Sequence, residues 1–485
     1  MYLNFRIIPY FCRMGRKRTD KIVFENISVL DAGAKGVSVA KAPDGKVIFI
    51  PNVVPGDVVD IQTFKKKKAY YEGRAIKFHE FSKHRIEPVC NHFGSCGGCK
   101  WQNMEYSQQL FYKNQEVYNN LKRIGKIDLP DFEPIMGSEK QLFYRNKMEF
   151  SFSNARWKTE AEIQSGEEIE NSNALGFHIP KAWDKILDIS HCSLQEDPSN
   201  DIRNSIREFA NANNLSFFNP RNHEGLLRTL MIRTASTGEI MVLIQFFEDN
   251  KEKRELLLNY LEKRFPQITS LQYVINSKAN DTLYDQDIIL YKGRDYILEE
   301  MEGLKFSINA KSFYQTNSDQ AYELYSITRE FAGLTGNELV YDLYTGTGTI
   351  AQFVSKKAGK VIGVEAVPEA IADAKENAKR NNITNCEFFT GDMKVVFNDD
   401  FINTHGRPDV IITDPPRDGM HKDVVEQILQ IAPEKVVYVS CNSATQARDL
   451  ALMNEKYKVT RVRPVDMFPQ THHVENVVLL EKRKF

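Results

Sequence analysis

Apolar and polar positions along the chain fall into three regimes. Between residues 18 and 78, short apolar-rich stretches are separated by Gly- and Pro-containing turns such as Pro55-Gly56-Asp57. These stretches are Val23–Leu30, Val37–Ala40, Lys46–Ile50, Val58–Ile61 and Tyr70–Ile76. Five β segments so closely spaced predict a small barrel of the OB type. From residue 311 onward the apolar runs Leu339–Leu343, Val361–Glu365, Val410–Thr413 and Lys435–Ser440 alternate with helical stretches. Runs of that kind read as buried parallel strands, so this third predicts an α/β, doubly wound sheet. Residues 79–310 are less regular, with a helix expected over Tyr106–Arg123 and an alternating strand at Lys147–Phe152, which suggests an α+β domain. A chain of 485 residues is long for one core, and three domains at 18–78, 79–310 and 311–485 account for it.

Composition sharpens this picture in two places. The content of 42% hydrophobic and 27% charged residues is that of an ordinary globular protein. No apolar run approaches the roughly 18 residues needed to span a bilayer. The first twelve residues are apolar but interrupted by Arg6, and no cleavage site follows. Translation is therefore expected to start at Met14 rather than Met1, in a cytoplasmic, membrane-free monomer. The net charge of -1 hides an excess of eight positive charges in residues 1–78 and of nine negative ones in the rest. A basic leader on an acidic body points to a polyanionic partner. The run Lys65-Lys66-Lys67-Lys68, followed by Tyr70, Tyr71 and Arg74, suits RNA through phosphate contacts and base stacking, although a solvated hairpin has the same composition.

Seven cysteines without a secretion signal argue for a reducing compartment and for thiols with a use. Cys90-x5-Cys96-x2-Cys99 sits in a loop with Gly94, Gly97 and Gly98, and Cys192 is the best-placed fourth ligand. Thiolates select zinc or an iron–sulfur cluster. One triplet and a distant single fit a four-iron cluster better than the paired short spacings of zinc. A radical enzyme's Cys-x3-Cys-x2-Cys triplet is narrower than this one, so the expected cluster is structural or RNA-positioning. Cys12 and Cys386 read as small apolar residues.

The chemistry concentrates at strand ends in the last third. Gly346-x-Gly348-x-x-Ala351 follows one strand and opens a helix, a weak nucleotide-type fingerprint by itself. Glu365 ends the next strand, where a carboxylate can accept ribose hydroxyls. Asp342 and Asp392 are candidates for cofactor contact or for loop support. Asp414-Pro415-Pro416-Arg417 forms a rigid loop at the carboxyl edge. Its Arg417 stands where amino-methyltransferases carry a stacking aromatic, which disfavours exocyclic nitrogen as the target. Cys441, at the tip of the Lys435–Ser440 strand, and Glu475 supply a nucleophile and a base. Nucleophile, base and cofactor pocket together suggest methyl transfer to a pyrimidine ring carbon.

Val-Ser-Cys441-Asn, His-His-Val-Glu475, Asp414-Pro-Pro-Arg and Phe313-Tyr314-Gln315-Thr316-Asn317 together resemble the RNA uracil-C5 methyltransferases. Gly36-Val-Ser-Val-Ala40 and Val54-Pro-Gly-Asp-Val-Val59 resemble a TRAM domain, and with the four cysteines the likeness is greatest to the branch acting on 23S ribosomal RNA. It spans about residues 20–485; the residues before Met14 and a charged insertion around Lys158–Glu170 depart from it. The resemblance implies a Rossmann-like domain that binds S-adenosylmethionine through Gln315, Tyr344, Glu365 and Asp414. It further implies Cys441 as nucleophile, Glu475 as base, and a [4Fe-4S] cluster on Cys90, Cys96, Cys99 and Cys192. Two other readings compete: the same chemistry on transfer RNA, and a non-catalytic iron–sulfur RNA-binding protein.

Overall fold

The computed structural model of the protein describes residues 21–166, 172–180 and 182–484. Cys12, the Met14 start and part of the charged insertion lie outside the described residues. The chain divides after Arg85 into two compact units.

In the first unit five strands close a barrel in the order β1-β2-β3-β5-β4. They are β1 (Val23–Ala32), β2 (Ser38–Lys41), β3 (Val47–Ile50), β4 (Val58–Lys66) and β5 (Tyr70–Glu80). Alternation works as expected: Val59, Ile61, Ile48, Ile50 and Tyr71 face the core. The turn before β4 is fixed by the wholly buried Asp57. Its carboxylate accepts from the amides of Val54 and Ser82 and pairs with Arg85. Lys66, Lys67 and Lys68 lie exposed where β4 turns into β5.

The second unit opens on the cysteine-bearing loop and α1 (Tyr106–Asn120). A seven-stranded sheet follows, built from β6 (Lys147–Ser153), β7 (Ala174–Ile179), β8 (Ala182–Asp188), β9 (Leu227–Thr234), β10 (Ile240–Phe246), β11 (Ser270–Ile275) and β12 (Ile289–Gly293). Its order is β12-β11-β10-β9-β6-β7-β8. With it come α2 (Glu160–Ser165), α3 (Ser199–Ala212) and α4 (Lys251–Arg264). Residues of α3 and α4 share a core with the sheet through Ile202, Ile206, Leu257 and Leu261.

A hairpin of β13 (Tyr296–Met301) and β14 (Leu304–Asn309) leads to α5 (Ser318–Ala332) and the second sheet. That sheet holds β15 (Leu339–Leu343), β16 (Lys360–Glu365), β17 (Cys386–Thr390), β18 (Val410–Thr413), β19 (Lys435–Ser440), β20 (Tyr457–Val465) and β21 (Glu475–Lys482). Its helices are α6 (Thr349–Ser355), α7 (Pro368–Arg380), α8 (Met393–Val396), α9 (Asp399–His405), α10 (Lys422–Ile431) and α11 (Ser443–Met453). The order is β17-β16-β15-β18-β19-β21-β20, and the first five strands are parallel, as the apolar runs imply. The sequence expectation of a parallel sheet misses one feature: β21 runs antiparallel between β19 and β20.

Two docking contacts position the carboxyl edge. Along α7, Asp373, Asn377 and Asn381 recur at i+4 and so share one face. Asn381 and Asn377 bond the backbone of Lys305 and Ser307, and Asp373 accepts from the side chains of Asn309 and Ser312. This ladder fixes β14 and hence the Phe313–Asn317 segment that follows. On the other face of the sheet, Val117 of α1 and Leu121 just beyond it join the core around Ala447, Leu450 and Val462.

Candidate active site

The cofactor-type loop follows β15. Tyr344, Gly346 and Gly348 all take left-handed φ, at 64°, 55° and 74°. Only the glycines do so without steric cost. A Cβ on Gly348 would stand 2.8 Å from the Phe388 ring and 2.9 Å from Ala374. Asp342 lies wholly buried beneath the loop, where its Oδ2 accepts from Thr345 Oγ1 at 2.5 Å and the Ala351 amide at 3.1 Å. Its Oδ1 is buried without a partner. Burial lifts its carboxyl to about 7. Glu365 accepts from the amides of Gly346, Ala366 and Val367 at 3.2, 2.8 and 3.1 Å, so it also braces the loop. Asp392 caps α8 through the Lys394 amide.

The antiparallel β21 builds the reactive pole. Ser440 of β19 and Asn476 of β21 are the last pair of their ladder, so Cys441 and Glu475 each stand one residue past its end. Cys441 precedes α11, whose N-cap Asn442 accepts from the Ala444 amide. The same Asn442 donates to the Arg417 carbonyl at 2.9 Å, and Thr445 Oγ1 donates to it at 3.0 Å. The Asp-Pro-Pro-Arg loop is thereby tied to the start of α11.

Charge at this pole is dominated by carboxylates. Burial and then Asp414 lift Glu475 to about 8, against the pull of Arg417. Burial and then Asp342 lift Asp414 to about 7. The Cys441 thiol rises to about 11 through burial, then Glu475 and Asp414, while Arg417 opposes the rise. A nucleophilic thiol works as the thiolate, which the dipole at the N-terminus of α11 favours. The helix is in place, but burial, reinforced by the two carboxylates, pushes the thiol the other way in the free protein. Tyr325, buried on α5, is pushed upward by burial and then by the charges of Asp414, Asp342 and Glu475. Gln315 is buried, with its carbonyl held by Asn146 Nδ2 at 2.9 Å.

The four cysteines converge elsewhere. Cys90, Cys96, Cys99 and Cys192, all free thiols, line one cavity of about 460 Å³. The Gln102 side chain accepts from the Cys90 amide and donates to Cys99 Sγ at 3.2 Å. Burial, reinforced by the neighbouring thiols, lifts Cys96 to about 11 and Cys99 to about 12. Among the described residues no three of His, Cys, Asp or Glu are grouped as ligands of a metal ion. Cys386 sits partly buried with its thiol toward the Ala351 carbonyl, as a small core residue would.

A family model described as tRNA (Uracil-5-)-methyltransferase matches residues 228–483. An RNA methyltransferase of Bacteroides thetaiotaomicron is 59% identical over 93% of this chain and 100% of its own. The chain belongs to the RNA uracil-C5 methyltransferase family. An RNA methyltransferase of Chlorobaculum tepidum is 38% identical over 94% of this chain and 96% of its own. Among solved structures, the tRNA (uracil-54, C5)-methyltransferase of Pyrococcus abyssi, in complex with S-adenosyl-L-homocysteine, superposes with a TM-score of 0.73. It is 26% identical and covers 94% of this chain and 100% of its own. The protein is therefore an S-adenosylmethionine-dependent RNA (uracil-5-)-methyltransferase. No described helix of the methyltransferase is long and apolar enough to cross a membrane.

The methyltransferase's own residues fit that cofactor. The unpartnered Asp342 Oδ1 and the left-handed Gly346, beside which a Cβ would meet nothing within 4 Å, leave a polar, close-approach loop at the carboxyl edge. Sequence reasoning used Arg417 only to exclude nitrogen chemistry and passed over Tyr325. The Arg417 guanidinium influences both Cys441 and Glu475, and its place one residue beyond the double proline was the available signal.

Proposed function

We propose that the enzyme methylates C5 of a uridine in 23S ribosomal RNA through a covalent adduct between Cys441 and C6 of the ring. The observation carrying the mechanism is the Ser440–Asn476 pairing, which leaves Cys441 and Glu475 one residue past the end of the same ladder. Uracil C5 is too weak a nucleophile to take a methyl group unaided. Addition of the Cys441 thiolate to C6 moves the ring's electron pair into an enolate with density at C5. S-adenosylmethionine, which Gln315, Tyr344, Glu365 and Asp414 would hold, would supply the electrophilic methyl group for C5 and be left as the neutral thioether. Glu475 then takes the C5 proton, the C5–C6 double bond reforms and the thiolate departs. Arg417 favours the charged forms of both residues. The uridine must leave its stack to reach Cys441, so an unpaired loop or bulge suits the site.

The [4Fe-4S] cluster is assigned to Cys90, Cys96, Cys99 and Cys192. Support comes from their lining of one cavity. The ribosomal target rests on the barrel of residues 18–78, with its exposed lysines, combined with that cysteine set in residues 79–310. Transfer RNA is the second reading, favoured by the Pyrococcus abyssi relative. Mapping 5-methyluridine in ribosomal and transfer RNA from a strain lacking the gene separates the two. Loss at one or two ribosomal sites with transfer RNA intact is expected, and the reverse pattern overturns the ribosomal assignment.

A further inference from the structure

The connection between β20 and β21, residues 466–474, carries no regular secondary structure, yet its backbone is held at each step by residues far away in sequence. Four consecutive carbonyls accept from donors outside the connection. Met467 is held by Asn317 Nδ2 at 3.0 Å, Phe468 by Lys113 Nζ at 3.1 Å and Pro469 by the Tyr144 hydroxyl at 2.9 Å. The Gln470 carbonyl accepts from the amides of Lys100 and Trp101, just beyond Cys99, at 2.9 and 3.1 Å. Gln470 itself sits at φ 67°, a left-handed conformation unusual for a residue with a Cβ. Something must hold it there.

That something is Gln109, wholly buried on α1. Its Nε2 donates to Gln470 Oε1 at 3.0 Å, and its Oε1 accepts from the Gln470 amide at 2.9 Å, closing a reciprocal amide pair. The same Nε2 lies 3.0 and 2.9 Å from the carbonyls of Trp101 and Met104. One side chain thus locks the end of the cysteine loop to the left-handed residue five positions before Glu475. Beyond it the chain is continuous and compact. Thr471 Oγ1 donates to the Phe468 carbonyl and accepts from the His473 amide, and Glu475 then opens β21, one residue before the Asn476 that pairs with Ser440.

We infer that Gln109 is a positioning residue for the reaction: through its amide pair with Gln470 it fixes where the 466–474 connection delivers Glu475 relative to Cys441. The inference rests on the reading of Glu475 as the base. The Gln109 side chain makes its bonds to Trp101, Met104 and Gln470, and none of these lies on β19, on α11 or in the loop after β15.

The test is Gln109→Met in the full-length enzyme, a change that keeps length and removes every bond of the amide. Expected are S-adenosylhomocysteine affinity within two-fold of wild type, KM for RNA within about three-fold, and kcat lower by about 10- to 100-fold, the scale of a 1 Å misplacement. The protein–RNA adduct on a denaturing gel accumulates, as it does for Glu475→Gln run alongside. Turnover within two-fold of wild type overturns the inference, as does a joint loss of adduct, cofactor affinity and kcat. If Gln109→Met does not fold, Gln470→Gly serves, because it keeps the left-handed backbone and deletes the Gln470 Oε1 half of the pair, leaving only the backbone amide on Gln109 Oε1. Failure of Glu475→Gln to accumulate adduct overturns the base reading and this inference with it. Adduct there beside unchanged turnover in Gln109→Met overturns the positioning alone.

Discussion

Lys113 and Asp466, 353 residues apart in sequence, form an ion pair of 2.5 Å in which neither side chain reaches solvent. Asp466 also accepts from the Tyr106 hydroxyl and the Phe468 amide, so both of its oxygens are engaged. Removing only the lysine would strand a buried carboxylate. Lys113→Met is expected to cost about 3–5 kcal/mol in denaturant unfolding, and adding Asp466→Asn should recover part of that loss. A single variant as stable as wild type would show that the pair does not hold α1 to the sheet.

That contact also marks the limit of what the sequence discloses. Leu339–Leu343, Val410–Thr413 and Lys435–Ser440 were legible to the residue, because a strand buried on both faces must be an apolar run. The residues just past those runs, Asp414 and Cys441, were legible as chemistry for the same reason. The helix over Tyr106–Asn120 was visible, but its destination was not. Its buried face begins Gln109, Lys113, and polar residues on a helix read as solvent-facing until their partners are known. Those partners lie in an irregular connection with no periodicity to find. The reversal of β21 was hidden likewise, since strand direction leaves no mark on an apolar run.

The carboxylates give a pH dependence with a definite sign. Asp342 and Asp414 at about 7, and Glu475 at about 8, all lie above ordinary carboxyl values of 3.8 to 4.5. The folded protein therefore holds protons that the unfolded chain gives up. Their contribution to stability is fully present below about pH 4 and is lost as pH rises to about 8. The melting temperature of the free enzyme should fall across that window. Bound S-adenosylmethionine, whose sulfonium favours ionised carboxylates, should flatten the fall more than neutral S-adenosylhomocysteine does. Calorimetric titration from pH 6 to 8 should show the ratio of the two affinities rising; a constant ratio would dissociate these groups from the sulfonium.

Turnover should rise with pH over the same range. Glu475 must be ionised to take a proton, and the Cys441 thiol, at about 11, is a thiolate in only a small fraction at neutrality. A kcat/KM increasing from pH 6 to 9 is expected. Arg417→Ala should shift the profile further to alkaline pH, because the guanidinium opposes both upward shifts. A profile falling with pH would contradict these roles.

Anaerobically purified protein should be brown and hold about four irons per chain. Replacing Cys90, Cys96, Cys99 or Cys192 by alanine should bleach it and lower its melting temperature, since ligation energy is folding energy. Colourless protein with stoichiometric zinc would overturn the assignment.

The barrel's lysines should act through phosphates alone. Replacing Lys66, Lys67 and Lys68 by alanine should weaken RNA binding and flatten its salt dependence by roughly 0.7–0.9 in logarithmic slope for each phosphate no longer neutralised. Cofactor affinity should not change, since the loops after β15 and β16 lie in the other compact unit. An unaltered salt slope would remove the barrel from the RNA interface.

The most direct test of the central claim is the covalent step itself. Glu475→Gln, incubated with substrate RNA and S-adenosylmethionine and run on a denaturing gel, should retain RNA on the protein, because the methylated adduct cannot lose its C5 proton. Cys441→Ala should retain none and make no 5-methyluridine, while binding S-adenosylhomocysteine within a few-fold of wild type. Measurable methylation by Cys441→Ala would contradict the account.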